Sequence, residues 1–394
     1  MKTVTLLTSE ESFTNNYGAA LQGFALVSSL NDIKCQTTII RYRGGRFSVA
    51  GKNRFIQLIK SIIAPVYRFF LAVEKNKLQN SEILEDGILN QVLTREKYFL
   101  SFQKETMTFY NDKRYTWKDL KQSFPDTDIY LCGSDQIWNP FFKGGYNDPG
   151  YFLAFVPEKK RKIAYAPSFG CKDLPVTAQS DLRELLASFD RISVRESDGV
   201  DIVAKYAAKE AKLVLDPTML RTGEQWKTIA RYPKQLPKHY ILCYRFADSP
   251  HTKTMIDKLS EAMSLPVLSM PLSQVALKDD YIHVFEAGPR EFVGLIEKAD
   301  LVCTDSFHAT VFSILLNTPV CVFLRESFVG TNGMNSRIYS LLIKLGLEQL
   351  IQEESDTIDK ALNCLKIDYS SAYRVLDDMR NDSLAYLREA IYHE

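Results

Sequence analysis

Twice along this chain, short apolar and β-branched runs alternate with amphipathic stretches of helical period, and that alternation restricts the fold to parallel strands joined by helical crossovers. Val4 to Leu7 reads as a strand, Thr8 to Asn16 as a polar loop, Tyr17 to Leu30 as a helix and Gln36 to Ile40 as the next strand. The pattern resumes with strands at Asp128 to Cys132, Lys162 to Ala166, Arg191 to Val194 and Lys212 to Leu215, with a helix at Val176 to Ala187. It starts afresh at Tyr240. Strands are expected at Tyr240 to Tyr244, Val267 to Met270, Ile282 to Phe285, Leu301 to Thr304 and Val320 to Phe323, with helices at Lys253 to Met263, Arg290 to Lys298 and Phe307 to Leu316 between them.

Asp216-Pro217-Thr218 ends the first series, and the polar stretch Arg221 to Lys238, with Pro233 and Pro237, is the linker candidate. The expected division is an α/β domain over 1–220 with a helical insertion near 51–120, a second over 221–369, and a terminal helix over 370–394 packing back across both. A length of 394 residues suits two domains at roughly 150 residues each. Ligands of open parallel sheets bind outside the carboxyl ends of the strands, so the site is expected in the cleft between the domains, acceptor side first and donor side second.

Composition narrows the partners. With 49 Lys+Arg against 48 Asp+Glu the net charge is +1, so no global field draws the chain to nucleic acid, and any anion site must be a local cluster. The seven cysteines show no CxxC or Cys/His ligand spacing, so no metal is expected, and their apolar settings suit a reducing compartment. The start MKTVTLLTSEES is too short in apolar residues for a secretion signal, and no run of about 18 apolar residues offers a membrane span. A cytoplasmic location is the resulting expectation. Arg41 to Lys77 carries nine basic residues against the single acid Glu74, interleaved with Phe, Ile, Leu and Tyr, so peripheral contact with an anionic membrane face is expected there; a helical lid with one basic face is the alternative.

The stretch most able to carry chemistry is Asp300 to Thr310, a buried strand breaking into a polar turn and then a helix. Ser306 or Asp305 is a good N-cap, which places Phe307, His308 and Thr310 in the first turn, beside unpaired N–H groups suited to phosphate or carboxylate. An imidazole at that spot can also move a proton near neutral pH. After another buried strand comes Gly133-Ser134-Asp135-Gln136-Ile137-Trp138-Asn139, with a hydroxyl, a carboxylate, amides and an indole in seven residues, as a sugar acceptor would need. The plainer alternative is a capped turn with Trp138 in the core. Asn16, Tyr17 and Gly18 stand at the first strand-to-helix turn, where Gly18 permits close approach; the sequence there is not GxGxxG. Arg195, Arg245 and Arg325 stand at strand ends, each a candidate anion clamp or an ion-paired surface residue. Arg337 follows the glycine-containing loop 330–333, which either closes over a ligand or is a simple surface loop.

Taken in order, Asn16 to Gln22, Gly133 to Asn139, Ala164 to Gly170, Ser193 to Glu196, Leu215 to Thr218, Gly288-Pro289 and Ala299 to Thr310 resemble the polysaccharide pyruvyl transferase family. The resemblance implies two Rossmann-like domains facing a cleft, similar to GT-B glycosyltransferases. It also implies transfer of the enolpyruvyl unit of phosphoenolpyruvate onto a sugar of a surface polysaccharide or its lipid-linked precursor, with no cofactor. By the family's pattern His308 is the acid/base or a phosphate ligand, and Arg195 with the turn Ser306 to His308 holds the donor's anionic groups, with Arg337 a further ligand. Some relatives have a basic residue where Ser306 stands here. Asn16, Tyr17, Gly18, Gly133, Ser134, Asp135, Gln136 and Trp138 would face the acceptor. The competing reading is a nucleotide-sugar glycosyltransferase of the same architecture; against it, Glu326 lacks a second Glu eight residues on, where Met334 stands.

Overall fold

The computed structural model describes residues 1–9, 16–44, 86–234, 236–247, 249–271, 279–325 and 335–393. Most of the basic segment Arg41 to Lys77, the insertion over 51–85, Glu326 and the loop 330–333 lie outside the described residues.

Two all-parallel six-stranded sheets make up the molecule. The first holds β1 (Lys2–Leu7), β2 (Cys35–Ile39), β3 (Ile129–Cys132), β4 (Arg161–Ala164), β5 (Arg191–Val194) and β6 (Lys212–Leu213), in the order β2-β1-β3-β4-β5-β6. The second holds β7 (Ile241–Tyr244), β8 (Val267–Ser269), β9 (Ile282–His283), β10 (Leu301–Thr304), β11 (Val320–Phe323) and β12 (Ile351–Gln352), in the order β12-β11-β10-β7-β8-β9. Helices cover both faces, which is why β3, β7, β10 and β11 are apolar runs buried along their whole length rather than alternating ones.

The strand orders position the site. In the first sheet the chain leaves β1 for β2 on one side and later returns to β3 on the other; in the second it leaves β7 for β8 and returns to β10. Each reversal opens a crevice at the carboxyl ends of the two diverging strands. The first crevice is bordered by the segments after β1 and β3, the second by those after β7 and β10.

Several local expectations are revised by packing. The helix expected at Val176 to Ala187 is two pieces, Val176–Gln179 and Leu182–Ala187, because Asp181 between them is held by the Asn147 amide at 2.6 Å. The linker candidate is partly structured: Thr222 and Gln225 form a capping box on helix Gly223–Lys227, and Trp226 is wholly buried, donating to the Thr218 carbonyl. Its ring meets Phe24 of the first domain and Phe312 of the second, so the crossover is anchored to both.

Three further contacts join the domains. Tyr17, at the start of helix Tyr17–Asp32, donates to the Ala287 carbonyl at 2.9 Å and stacks on Phe292 at 4.7 Å. Helix Asp86–Thr106 reaches the second domain through Tyr98 to Glu286 and through the Glu105–Arg290 pair at 2.8 Å. Helix Ser370–Tyr392 starts on the second domain, where Tyr373 donates to Ile314 O, and finishes on the first, where Ser383 accepts from Leu215 N and Tyr392 donates to Ile33 O. One continuous apolar core therefore runs through both domains. No described helix is long and apolar enough to cross a membrane.

Candidate active site

The turn after β10 builds one wall of the cleft. The Asp305 carboxylate accepts the Phe246 and Ala247 amides at 2.8 and 2.7 Å and lies 3.3 Å from Arg325 Nε, tying together the two strand ends that diverge at the crevice. Ser306 caps helix Phe307–Leu315 by accepting from Ala309 N. The amides of Phe307 and His308 in this first turn have no intrahelical acceptor and carry the positive end of the helix dipole. Two guanidinium groups approach the Phe307 ring, Arg195 at 5.0 Å and Arg337 at 5.6 Å from its centroid. Arg337 is only 7% exposed, yet among the described residues it makes no ion pair and its buried Nε has no acceptor. Burial, with the repulsion of Arg195, pushes Arg337 down to about 10 against the attraction of Glu196 and Asp135.

Opposite stands Asp216, at the break after β6. One carboxylate oxygen accepts from Thr218 N and Oγ1; the other takes Arg195 Nη1 at 2.6 Å and Ser134 Oγ at 3.3 Å, and faces His308 Nε2 at 3.8 Å. Burial alone would raise this carboxyl, but His308, Arg195 and Thr218 outweigh it and hold Asp216 well below the usual carboxylate range. The 3.8 Å gap is an electrostatic approach rather than a hydrogen bond. His308 thus belongs to the second domain but meets its carboxylate in the first.

Between these walls lies a cavity of about 430 Å³. Among the described residues, Arg325, Arg337, His308 and Lys143 line it against the single acid Asp135, so that lining favours anions. A shallower hollow of about 980 Å³ at the opposite end of the first sheet, near Met1 and Tyr392, holds none of these groups.

The structure sorts the candidates read from the sequence. Asn16, Gly18, Asp135, Gln136, Ser306, Phe307, His308 and Arg337 all border the cavity. Asp135 does so with a φ of 63°, a left-handed conformation that is costly for a residue with a side chain and recurs at binding sites. Trp138 does not border it: its ring is 1% exposed, stacks on Phe152 and donates to the Tyr151 carbonyl, so it is core and offers no face to a sugar. Tyr17 is a domain anchor, and burial pushes its phenol up to about 12. Gly133 and Ser134 lie under the site. A Cβ at Gly133 would stand 1.9 Å from the Tyr165 carbonyl, and Ser134 donates to the Ala166 carbonyl. Thr310 bonds back to the Ser306 carbonyl inside its own helix.

Arg195 also differs from its expected role. Its side chain is 1% exposed, bonded to Asp216, 3.4 Å from Asp135 and 3.7 Å from Glu196, so carboxylates of the protein take up its charge and it offers no donor to the cavity. Of the other strand-end arginines, Arg245 is paired with Asp279 at 2.5 Å away from the cavity lining. Sequence reasoning missed Asp216 as a site residue, although the Leu215-Asp216-Pro217-Thr218 break marked its position. It also missed Phe142, Lys143 and Phe246, for which no local pattern gave a signal.

Two Rossmann-like domains with facing switch points, with an imidazole at a helix N-terminus and two arginines on the cavity between them, define a GT-B-like architecture. A family description fits the chain more narrowly. The model of the polysaccharide pyruvyl transferase family matches residues 16–327, well over half of the chain, and the chain belongs to that family. A search of the curated proteins returns no significant match. Among solved structures, the chain is similar to a UDP-GlcNAc 2-epimerase from Neisseria meningitidis bound to UDP-GlcNAc, with TM-score 0.49, 10% identity and 100% of both chains covered. It is also similar to the UDP-GlcNAc 2-epimerase from Methanocaldococcus jannaschii, with TM-score 0.48, 11% identity and coverage of 94% of this chain and 93% of that one. MurG from Acinetobacter baumannii gives TM-score 0.41 and 10% identity over 100% of each chain.

Proposed function

We propose that this transferase moves the enolpyruvyl unit of phosphoenolpyruvate onto a sugar of a surface polysaccharide or its lipid-linked precursor, closing a pyruvate ketal. The observation that carries this reading is Arg337, a buried cation that makes no direct ion pair among the described residues and feels Glu196 and Asp135 only at longer range, set beside an imidazole at a helix N-terminus. A buried charge of this kind costs several kcal/mol unless a ligand supplies its partner. A donor with a phosphate and a carboxylate supplies two.

In this reading the first-turn amides, Arg337 and Arg325 hold the donor's anionic groups. His308 gives a proton to the methylene carbon, and positive charge develops on the adjacent carbon that bears phosphate. A sugar hydroxyl adds there and gives up its proton to the base. The C–O bond to phosphate then breaks, inorganic phosphate leaves with the bonding pair, and a second hydroxyl adds and loses its proton to close the ketal. The sequence is redox-neutral, and the donor is a substrate rather than a cofactor. Asp216 faces the His308 ring and orients it, while Arg195 keeps Asp216 ionised. Peripheral attachment to the cytoplasmic membrane face through the basic residues of 41–77 belongs to the same proposal, since a lipid-linked acceptor would be presented there.

Calorimetry and thermal shift with phosphoenolpyruvate, UDP-hexoses and GDP-hexoses test the donor, on wild type and His308→Ala. A native-state ligand raises Tm by mass action. The expected result is a shift with phosphoenolpyruvate that shrinks in the variant. A response to a nucleotide sugar alone would replace the proposed donor with a glycosyl one.

A further inference from the structure

We propose that the first-domain wall of the cavity is a subsite for a pyranose carrying an anionic group, with Phe142 as its platform and Lys143 as its charge partner. The inference rests on the donor reading above, because it assigns the half of the cavity that the donor leaves over. The cations expected to hold a donor, Arg325 and Arg337, and the helix N-terminus at Ser306 to His308 all belong to the second domain. The facing wall has one further cation, Lys143, which forms no ion pair among the described residues and lies 5.0 Å above the Tyr151 ring.

Local structure explains why these groups point inward. Asn139 caps the short helix Pro140–Lys143 by accepting from Phe141 N, and Gly144 closes it in a left-handed conformation with φ 76°. The turn therefore leaves Phe142 52% exposed at the cavity edge. Gln136 stands next to it. Its carbonyl oxygen is taken by the Asn139 amide at 2.8 Å, which leaves the Gln136 NH₂ as a donor toward the cavity. An exposed aromatic face, a free amide donor and an ammonium within one wall match the apolar face, hydroxyls and negative charge of an acidic sugar. A neutral sugar would use the first two and leave Lys143 idle. The anion could be a uronate carboxylate on the sugar or a phosphate at its anomeric carbon, as in a lipid-linked precursor.

The test compares methyl glucoside, methyl glucuronide and glucose 1-phosphate, with their galacto counterparts, as probes in saturation-transfer NMR titrations of the full chain, with and without phosphoenolpyruvate. At least one anionic form should bind about tenfold or more tightly than its neutral counterpart. Lys143→Gln should erase that preference without weakening phosphoenolpyruvate, and Phe142→Ala should weaken neutral and anionic probes alike. A uronate preference and a phosphate preference distinguish the two sources of charge. Equal binding of charged and neutral probes, no binding of any probe, or loss of phosphoenolpyruvate binding in Lys143→Gln would overturn the subsite. If phosphoenolpyruvate fails to bind wild type, the donor reading fails instead, and the titrations without it still decide the subsite.

Discussion

The His308 imidazole fills the space that a side chain at Gly18 would need: a Cβ built on Gly18 would stand 2.0 Å from His308 Nδ1. The two residues come from different domains, so the bare backbone of the first helix lets the His308 ring of the second domain reach Asp216. A methyl group at position 18 must displace the ring or part the domains. Gly18→Ala is therefore expected to abolish the phosphoenolpyruvate response in calorimetry while destabilising the fold by about 1–3 kcal/mol, the usual scale of overpacking. Undiminished binding in a folded Gly18→Ala protein would separate His308 from the donor site.

Arg337 makes the sharper prediction, because function and stability should move in opposite directions. Replacing it by Met removes a buried charge that has no direct ion pair among the described residues and keeps roughly the side chain's length and its packing on Phe307. Tm without ligand should rise, and phosphoenolpyruvate affinity should fall about ten- to hundredfold, the scale of a lost charged hydrogen bond or two. A Tm decrease together with unchanged affinity would make Arg337 a structural residue.

Asp216 should govern acid stability. Its folded carboxyl lies well below the usual range while the unfolded value is about 3.9, so it contributes stability that is fully present above the unfolded value and lost as pH falls below it. Asp216→Asn is expected to cost about 3–5 kcal/mol at neutral pH, since it leaves Arg195 short of its closest carboxylate, and to flatten the decline in stability below about pH 4. Urea unfolding at a series of pH values measures both. An unchanged acid slope would remove Asp216 from the role of charge hub.

Trp138 gives a control of the opposite kind. Trp138→Phe removes the bond to the Tyr151 carbonyl and part of the stack on Phe152, so the expected loss is about 1–3 kcal/mol of stability with phosphoenolpyruvate affinity unchanged. A selective loss of saccharide binding at full stability would return this residue to the cavity wall.

Much of this protein was legible in one dimension. Apolar runs such as Leu301 to Thr304 are buried on both sides only in parallel sheets, and their alternation with helical stretches is local information, so two such sheets followed from the sequence. The turn at Ser306 to His308 was readable for the same reason, because a capping residue and the groups of the first helical turn are sequence neighbours. Charge pairing and side-chain direction are not local. Arg195 reads as a clamp until Asp216, Asp135 and Glu196 are brought around it, and Trp138 reads as a sugar platform until Phe152 covers its face. Asp216 and Gly18 acquire their roles only where the second domain sets His308 between them, and Phe142 and Lys143 only where a capped turn holds them at the cavity edge. The chain alone determined which strands and turns exist, since these depend on neighbours within a few residues. Tertiary structure decided which charges meet and which remain open to a ligand, since that depends on groups up to hundreds of residues apart.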